Sequence, residues 1–424
     1  MRNKLVPIKR AYGTGKSIVV DKCQICGYLK LDDVVFIGYL PPVNSMPKVG
    51  SKPQEESSYP ALLLKCPVCK LFQLGTIVDP KILFPPEYPY TSGTTKILRD
   101  NFTQLFGECR RLLHLDRNDL VVDIGSNDGT LLSNFSNFCR VQGVEPSNAA
   151  VLAKKRGIPT LITFFNKQAV EKIKRKQGRA KIITATNVFA HIEDVHSVME
   201  NVLDLLGEDG VFITESHYIY SLIRSLQYDT IYHEHLRYYS LQSLNFIFKK
   251  YGLSIFHAKK IPTHGGSLRV YACRNTRRQT IQTSVSRILR DEKQHDLDSK
   301  KIHDFRRKIT LSKLKLYTLL FKIKKNKNRI YGIGAPSRAS TLINYVGLDE
   351  NIIDCVLEIH GSYKIGKYMP GTRIPVVEES LLFHSPPDYA LLFSWHIADE
   401  LIQKLRNKGY RGKFILPLPD PSII

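Results

Sequence analysis

The densest run of side chains able to transfer protons spans residues 228–239, which read Tyr-Asp-Thr-Ile-Tyr-His-Glu-His-Leu-Arg-Tyr-Tyr. Two histidines, a glutamate and four tyrosines fall within these twelve residues, a set that can remove a proton and stabilise an oxyanion near neutral pH. The order His-Glu-His excludes the His-Glu-x-x-His helix of zinc proteases, and His233 with His235 lacks further obvious metal ligands. We interpret the block as catalytic, with a satisfied polar core as the alternative.

A second cluster lies where a buried strand ends in Val-Val-Asp-Ile-Gly-Ser-Asn-Asp-Gly, residues 121–129, and a helix over 130–138 begins. Glycines at a helix N-terminus let the backbone approach a ligand, and the GxxxG spacing differs from the GxGxxG of nicotinamide enzymes. Twenty residues after the first glycine, the next strand ends in a glutamate placed to accept both ribose hydroxyls. This is the S-adenosylmethionine arrangement, and a structural turn that happens to end in glutamate is the alternative. The candidate cofactor residues are Asp123, Gly125, Asn127, Gly129 and Glu145.

Further candidates follow the later strands. Phe165 falls where a loop would meet the adenine, and it either stacks on the base or joins the core. Asn187 ends the fourth strand at the carboxyl edge, where open α/β sheets bind ligands. His191 either bonds substrate or caps the next helix. The glycine pair and serine in Thr-His-Gly-Gly-Ser-Leu-Arg, residues 263–269, favour close approach to a ligand over a plain turn.

Four of the eight cysteines form two Cys-x-x-Cys pairs separated by 39 residues. In a reducing compartment such pairs indicate metal, and four thiolates suit a closed, structural Zn²⁺ site. Four buried free thiols or a redox pair are the alternatives. The predicted ligands are Cys23, Cys26, Cys66 and Cys69. The isolated cysteines are expected to be core residues, at Cys109, Cys139, Cys273 and Cys355.

The elements that must position these groups alternate between strand and helix over roughly 99–274. Such alternation implies a mostly parallel, doubly wound α/β sheet. Residues 281–329 read as one long helix, and a second α/β pattern follows. Apolar runs predict central strands at Leu120–Ile124, Val141–Val144, Lys181–Thr186, Gly210–Glu215, Ile255–Ala258 and Leu268–Cys273.

Length and composition bound the remaining classes. At 424 residues the chain is too long for one core, so two or three domains are expected. A content of 43% apolar and 24% charged residues excludes a disordered or fibrous protein. The N-terminus does not resemble a secretory signal and no run is long enough to span a membrane, so we expect a soluble, cytoplasmic protein with no membrane span.

The net charge of +23 raises nucleic acid, an anionic membrane or a phosphorylated small molecule as partners. Nearly half of it lies in residues 300–329, which hold 12 Lys and Arg against one acid, Asp304. The fourth strand lacks the Asn/Asp-Pro-Pro-aromatic motif of base-flipping enzymes, and the core lacks a Pro-Cys nucleophile. We therefore expect no nucleic-acid partner and interpret most of this charge as a solvated surface.

These motifs resemble the sugar C-methyltransferases that act on nucleotide-linked 4-keto-deoxysugars. The resemblance spans nearly the whole chain, and the Tyr-His-Glu-His block is its most specific part. Its other motifs, in order, are the cysteine pairs, Tyr88–Gly93, Asp123–Gly129, Asn187–Val195, His264–Arg269, Tyr331–Pro336, Leu342–Tyr345 and Pro370–Pro375.

The resemblance implies three lobes: a zinc lobe over 1–90, an S-adenosylmethionine domain of class I methyltransferase fold over 91–280, and a helical linker with a Rossmann-like substrate domain over 281–424. It implies that His235 is the catalytic base, assisted by Tyr232 and Glu234. That base would remove the C3 proton of a 4-keto sugar, and the resulting carbanion would attack the sulfonium methyl group.

The resemblance also implies ligand contacts. Tyr90 joins the cofactor set, and the substrate is a nucleotide-diphosphate sugar bound by a monomer or loose homodimer. The implied substrate-binding residues are His191, His233, His264, Gly265, Ser267, Arg338, Asn344 and Tyr345.

The C-terminal region, residues 281–424, differs from the family pattern at positions that would contact the sugar. Arg338 stands in Ser-Arg-Ala where the family has alanine-lysine-glycine, Glu358 replaces an aspartate, and His396 replaces an asparagine after Trp395. Arg338 keeps a positive charge at a helix N-terminus, which favours diphosphate binding. O- or N-methylation of a nucleotide sugar or related metabolite is the alternative reaction, because it needs only a positioned base.

Overall fold

The computed structural model describes residues 16–84, 91–276 and 279–424. Tyr90, predicted to contact the cofactor, lies outside the described residues. Among the helices in these ranges, none is both long enough and apolar enough to cross a lipid bilayer.

The N-terminal part is built around turns that carry the paired cysteines. Its elements are β1 (Ser17–Val19), β2 (Asp32–Leu40), β3 (Tyr59–Lys65), β4 (Phe72–Leu74), β5 (Thr76–Val78) and α1 (Pro80–Leu83). Strands β2, β3 and β4 form an antiparallel meander. One cysteine pair precedes β2 and the other forms the turn between β3 and β4, so pairing of these strands brings the two pairs together.

The central sheet is a doubly wound, mostly parallel sheet, as predicted. Strands β6 to β10 run parallel, and β13 is inserted antiparallel between β10 and β12 in the order β12-β13-β10-β9-β6-β7-β8. All six predicted strands are present, and the two-residue β8 was not predicted. The strands are β6 (Leu120–Ile124), β7 (Arg140–Val144), β8 (Thr160–Leu161), β9 (Ala180–Thr186), β10 (Leu206–His217), β12 (Leu253–Ile261) and β13 (Ser267–Arg274), with β11 (Arg237–Tyr238) outside this sheet.

Alternate residues of the central strands pack into two different cores. Val121 of β6 belongs to one core and its neighbour Val122 to the other, so the sheet is covered on both faces. The helices of this part are α2 (Lys96–Leu112), α3 (Thr130–Ser133), α4 (Ala149–Lys155), α5 (Lys167–Gln177), α6 (Val195–Leu205), α7 (Ile219–Arg224), α8 (Leu241–Lys250) and α9 (Thr283–Gln294). The prediction that α3 reaches residue 138 is wrong, because the Asn134 side chain donates to the carbonyls of Thr130 and Leu131 and closes the turn.

The prediction of one continuous helix over 281–329 is also wrong. The structure has α9 and a separate α10 (Ser299–Lys325). Asp298 begins the second helix, because its carboxylate accepts the Lys301 N–H at 2.8 Å. The inner face of α10 is apolar, as predicted, with buried side chains at Ile302, Phe305, Ile309, Leu316, Leu320 and Ile323.

The C-terminal part is a second, Rossmann-like sheet, as predicted. Its order is β16-β15-β14-β17-β18-β19, parallel except for β19, and the strand order reverses at β14 and β17, where such sheets bind ligands. Its elements are β14 (Ile330–Ile333), α11 (Ser337–Val346), β15 (Cys355–Glu358), β16 (Val376–Glu378), α12 (Leu381–His384), β17 (Tyr389–Leu392), α13 (Ala398–Asn407), β18 (Lys413–Leu416) and β19 (Ser422–Ile423).

The segment 228–239 joins the central part to the N-terminal sheet. Strand β11, which lies inside the block, pairs antiparallel with β4, so that Arg237 lies opposite Gln73. One apolar core also runs through all three parts, since it contains Leu63, Tyr228 and Leu342. The four isolated cysteines are buried, as predicted.

A buried ionic network fastens α2 to the central sheet. The Arg269 guanidinium donates to Glu215 at 2.5 Å and to Glu108 at 2.6 Å, and Lys259 donates to Glu108 at 2.6 Å. Burial alone would raise the pKa of Glu108, but the bond from Lys259 and the charge of Arg269 hold it at about 2. The Glu108 carboxylate is therefore ionised, and Lys259 and Arg269 balance its charge inside the protein.

We expect Arg269→Met to destabilise the fold by about 3–5 kcal/mol, because it leaves two buried carboxylates without their shared cation. Urea unfolding followed by circular dichroism measures this loss. Lys96→Met is the matched control, because its pair with Asp100 is more than half exposed on both sides and should contribute about 0–1 kcal/mol. Equal unfolding midpoints for the two variants would contradict the role given to the network.

Candidate functional site

The four paired cysteines form one compact cluster. Their Sγ atoms all lie within 4.8 Å of one another, with Cys23 and Cys69 at 3.3 Å and Cys26 and Cys66 at 3.5 Å. Tetrahedral zinc with Zn–S bonds of about 2.3 Å separates its sulfurs by about 3.8 Å, so this spacing fits one Zn²⁺. Hydrogen bonding to Cys66 raises the pKa of Cys23, because the sulfurs are crowded, and a divalent cation relieves this crowding.

The carboxyl edge of the central sheet holds the predicted cofactor residues. Asp123 at the end of β6 is buried and accepts the Thr184 hydroxyl at 2.6 Å. Burial raises the pKa of Asp123 to about 7, and the charges of Glu145 and Glu215 act in the same direction. The edge therefore carries excess negative potential, which suits a ligand that brings a cationic centre and hydroxyl donors.

The Glu145 side chain contacts the glycine turn. Its carboxylate accepts the N–H groups of Asn127 at 3.0 Å and Ser147 at 2.8 Å. The acid that was predicted to bind ribose thus lies directly at the end of β7 beside the turn. Two backbone donors hold the carboxylate in position there.

Glycine is required at two positions of the turn. Gly125 and Gly129 have φ values of 66° and 77°, in the left-handed region. A Cβ on Gly125 would lie 2.8 Å from Val188, and one on Gly129 would lie 3.1 Å from Ala153. The turn therefore packs tightly against both neighbouring segments, and any side chain would displace them.

Asn187 has a polar atom available to a ligand, whereas Phe165, the predicted adenine contact, is packed in the core. Asn187 has φ 57°, and within the described part of the chain its buried Oδ1 has no hydrogen-bond partner, so it can accept a donor from a ligand. Phe165 is 8% exposed and belongs to the core, whereas Phe164 is 60% exposed. The exposed aromatic surface at this corner is therefore that of Phe164.

The segment that follows Tyr90 lies on the glycine turn. The N–H of Ser92 donates to Asn127 Oδ1 at 2.9 Å, and the N–H of Gly93 donates to the Asp128 carboxylate at 3.1 Å. This contact brings residues 91–94 against the cofactor edge.

The His235 imidazole is held in its neutral form. Its Nδ1 lies 2.9 Å from the Thr230 carbonyl, and because a carbonyl only accepts, Nδ1 carries the proton and Nε2 keeps its lone pair. Burial and the neighbouring His191 lower the pKa of His235 well below its ordinary value. The Tyr232 ring lies 4.2 Å from the imidazole, centroid to centroid.

The rings of three further histidines form a cluster with His235. The ring centroids of His191 and His217 lie 5.0 Å and 4.6 Å from that of His235, and His264 lies 5.4 Å from His217. His191 donates its Nδ1 proton to the Glu234 carbonyl, which leaves its Nε2 unprotonated as well. Burial lowers the pKa of His264 to about 4. The cluster is thus neutral at physiological pH.

His233 and Glu234, which directly precede His235, contact the N-terminal part of the chain. His233 Nε2 lies 3.2 Å from the Pro60 carbonyl, and its ring contacts Tyr59. The Glu234 carboxylate accepts the Asn44 side-chain amide at 2.7 Å. The structure therefore does not bring His233, a predicted substrate residue, into the imidazole cluster, and it ties Glu234 to the loop between β2 and β3.

Arg338 forms a buried ion pair with Asp229 of the segment 228–239. Its guanidinium donates Nε and Nη2 to the two carboxylate oxygens of Asp229 at 2.8 Å and 3.0 Å, and Nη1 to His396 Nδ1 at 2.8 Å. Trp395 donates its indole N–H to the same carboxylate at 2.8 Å. The charge predicted to serve a diphosphate is therefore balanced by Asp229 in this structure.

The glycine pair after β12 forms a turn that packs tightly against Gln227. Gln227 donates to the Gly265 carbonyl at 2.6 Å, and a Cβ on Gly265 would lie 2.5 Å from the Gln227 amide oxygen. Ser267 is fully buried and donates to the Thr263 carbonyl at 3.0 Å. Gly265 therefore faces Gln227, and the Ser267 hydroxyl is occupied within the turn.

Asn344 and Tyr345 lie on α11 beside the block. Asn344 donates to the Pro370 carbonyl at 3.0 Å and so holds the turn at residues 370–371. The Tyr345 ring packs edge-on against Tyr228 at 5.1 Å. Both side chains therefore join the C-terminal part to its surroundings.

Sequence reasoning missed several residues of this arrangement. His217 ends β10 at the carboxyl edge, and its place two residues after Glu215 was the available signal. Asp229 lies inside the catalytic block but was not chosen as a partner for a cation. Nothing in the sequence marked Asn44 or Gln227 as site residues, because their partners Glu234 and Gly265 are distant in sequence and become neighbours only in the folded chain.

Three family models match successive parts of the chain. A zinc-binding domain matches residues 23–84, a methyltransferase domain matches 96–258, and a C-methyltransferase C-terminal domain matches 262–419. These ranges follow the three parts of the structure in order.

A curated relative covers almost the full length. The C-methyltransferase NovU of Streptomyces niveus is 31% identical over 411 residues, which are 96% of this chain and 97% of that protein. Among solved structures, an S-adenosylmethionine-dependent methyltransferase of Anabaena variabilis has 17% identity and a TM-score of 0.32, and covers 40% of this chain and 83% of its own. The magnesium protoporphyrin IX methyltransferase of Synechocystis has 14% identity and a TM-score of 0.33, with 42% and 82% covered.

We expect the purified protein to carry one zinc ion per chain, measured by mass spectrometry of its metal content. Cys66→Ser removes one of four thiolates and should reduce the bound zinc to less than about half and lower the melting temperature. Cys139→Ser, at a buried cysteine outside the cluster, is the control and should keep its zinc. Full zinc occupancy in Cys66→Ser would show that the cluster is not the site.

We expect stability to fall as the pH drops from about 6.5 towards 4. Burial lowers the pKa values of His233 and His264 to about 4, whereas histidines of the unfolded chain titrate near 6.5. Between these values the unfolded state binds more protons, so stability is complete above pH 6.5 and is lost below it. Asp123 and Glu292, whose pKa values burial raises, act in the opposite sense, but the buried histidines outnumber them.

Urea midpoints measured between pH 7 and pH 5 test this expectation. His264→Gln should flatten the dependence, while His303→Gln, at an exposed position of α10, should leave it unchanged. A wild-type midpoint that does not fall on acidification would contradict the burial of neutral histidines.

Proposed function

Because the chain belongs to the C-methyltransferase family, we propose that it methylates C3 of a nucleotide-linked 4-keto-deoxysugar. The family assignment makes the protein an S-adenosylmethionine-dependent methyltransferase with a zinc-binding N-terminal part. The nucleotide sugar and the C3 position are the proposal. We also propose the domain boundaries 1–90, 91–280 and 281–424, with β11 crossing into the first domain's sheet.

One observation supports the proposal: His235 is a buried, neutral imidazole whose Nδ1 donates to the Thr230 carbonyl, which leaves Nε2 with a free lone pair that would serve as the base. O- or N-methylation needs at most a weak base, because the attacking oxygen or nitrogen already has a lone pair. Carbon has none until a proton is removed. Attack by carbon therefore requires a positioned base, which the fixed tautomer of His235 supplies.

The cofactor edge fits S-adenosylmethionine. Glu145 would accept the ribose hydroxyls, and Asp123 and the Asn187 amide oxygen would receive the remaining donors of the ligand. When bound, the cofactor supplies an electrophilic methyl group on sulfur. The chain's own task is to generate a carbon nucleophile beside it.

The histidine cluster provides the group that accepts the C3 proton and later releases it. His235 Nε2 takes the C3 proton, and the electron pair moves into the C4 carbonyl to give an enolate. The enolate oxygen needs a donor that stays protonated. Tyr232 meets this need, because burial, with the charge of Glu234, raises its pKa well above the ordinary value. As the carbon–methyl bond forms, the bond between the methyl group and the donor sulfur would break, and the sulfur would keep that electron pair and leave as a neutral thioether. The imidazolium then returns its proton to solvent.

The C-terminal sheet repeats the arrangement of the cofactor edge. Glu358, at the end of β15, accepts the Ala335 N–H at 2.7 Å, just as Glu145 accepts the Asn127 N–H in the central sheet. An acid at the end of the second strand, beside a glycine-containing turn after the first, is suited to ribose hydroxyls. This similarity supports a substrate that contains a nucleotide, which the C-terminal sheet would bind.

We expect the enzyme, incubated in D₂O with a 4-keto-deoxysugar nucleotide and no methyl donor, to exchange the C3 proton of the sugar. Proton NMR follows the loss of that signal. His235→Asn should slow the exchange by at least about a hundredfold, while S-adenosylmethionine affinity measured by calorimetry stays unchanged. His303→Asn is the matched control and should exchange at the wild-type rate.

The possible outcomes separate the parts of the proposal. No exchange by the wild-type protein with any keto-sugar nucleotide would overturn carbanion chemistry at C3 and favour O- or N-methylation. Exchange that persists in His235→Asn would keep the chemistry but remove His235 as its base.

A further inference from the structure

The outer face of α10 carries an apolar stripe that no part of the proposed reaction uses. Leu311, Leu314, Tyr317 and Phe321 are separated by three, three and four residues, so they are neighbours on one side of the helix. Their exposed fractions are 52%, 56%, 48% and 60%. Four large apolar side chains in a row on the surface mark an interaction site.

This stripe is not part of the protein core. The core contacts of α10 are made by its opposite side, from Ile302 to Ile323. The helix is therefore apolar on two sides, and only the inner one is covered by the described chain.

The stripe is bordered by positive charge. Residues 300–329 carry 12 Lys and Arg against one acid, Asp304, which gives this segment a net charge of +11. Arg307 and Lys308 share that acid at the first end of the stripe. At the other end, Lys322 and Lys325 form no ion pair with any residue the structure describes.

The charge decides between possible occupants. A second copy of the chain would bring two segments of the same sign together without acids to balance them. Residues 1–15, outside the described ranges, hold four basic residues and no acid, so they would meet the same repulsion. A nucleic-acid duplex would satisfy the lysines but offers no apolar surface to Leu314 and Phe321.

We propose that the outer face of α10 docks on an anionic lipid surface. The helix lies in the plane of the interface, with the four apolar side chains inserted among the acyl chains near the headgroups and the lysines paired with lipid phosphates. This is peripheral binding, which is consistent with the lack of a membrane-spanning helix in the described ranges. The stripe lies outside the residues assigned to the reaction, so docking does not require methyl transfer.

Co-sedimentation of the full-length protein with vesicles tests the proposal. We expect binding to vesicles of mixed phosphatidylglycerol and phosphatidylcholine, weak binding to phosphatidylcholine alone, and a decrease at high salt. The double variant Leu314→Gln/Phe321→Gln should bind at least about tenfold more weakly. Lys322→Gln/Lys325→Gln should lose more than about fivefold.

The matched control replaces two exposed apolar residues elsewhere, in Leu29→Gln/Val151→Gln, whose parent side chains are 70% and 43% exposed. It should bind vesicles like the wild type, and all variants should keep the wild-type melting temperature. No binding to anionic vesicles would overturn the proposal.

Two other results would also overturn it. Vesicle binding that falls only in the lysine variant would mean that charge attracts the protein without docking of the stripe. A dimer by light scattering that Leu314→Gln/Phe321→Gln dissociates, without vesicle binding by the wild type, would assign the face to a second copy.

Discussion

The bidentate ion pair between Arg338 and Asp229 is the contact on which the arrangement of the site depends. Both side chains are almost fully buried, so each charge would be costly without the other. Asp229 lies six residues before His235, in the segment 228–239, and Arg338 lies in the first turn of α11 beside the C-terminal sheet. The pair therefore fixes the Rossmann-like part against the segment that carries the base. His396 and Trp395 complete the coordination of the two charges.

Burial at this junction also sets the protonation states. His191, His217, His235, His264 and His396 all have pKa values lowered first by desolvation. The fixed positive charge of Arg338 lowers several of them further. Only neutral imidazoles can be this crowded, and a neutral imidazole is what a base needs. The same packing that joins the lobes thus keeps the proposed base ready near neutral pH.

Much of the fold and part of the site could be predicted from local sequence. The buried strand before Asp123, the glycines at positions 125 and 129, the strand-terminal Glu145 and the two cysteine pairs are local patterns whose physical causes lie within a few residues. The predicted strands and the cluster of four cysteines are present in the structure. The single helix over 281–329 was wrong because Asp298 caps a new helix, a signal that apolar spacing alone does not show.

The sequence by itself determined the kind of chemistry available: a methyl-donor edge, a closed thiolate cluster and a block rich in bases and phenols. The tertiary structure decided which of these groups face one another. His217 and His264 join His235 through strand order, and His233 binds the backbone at Pro60 instead. Arg338 meets Asp229 across 109 residues of chain. Such pairings depend on how the sheets pack, because a side chain's partner in a folded core is chosen by distance in space, which spacing along the chain does not record.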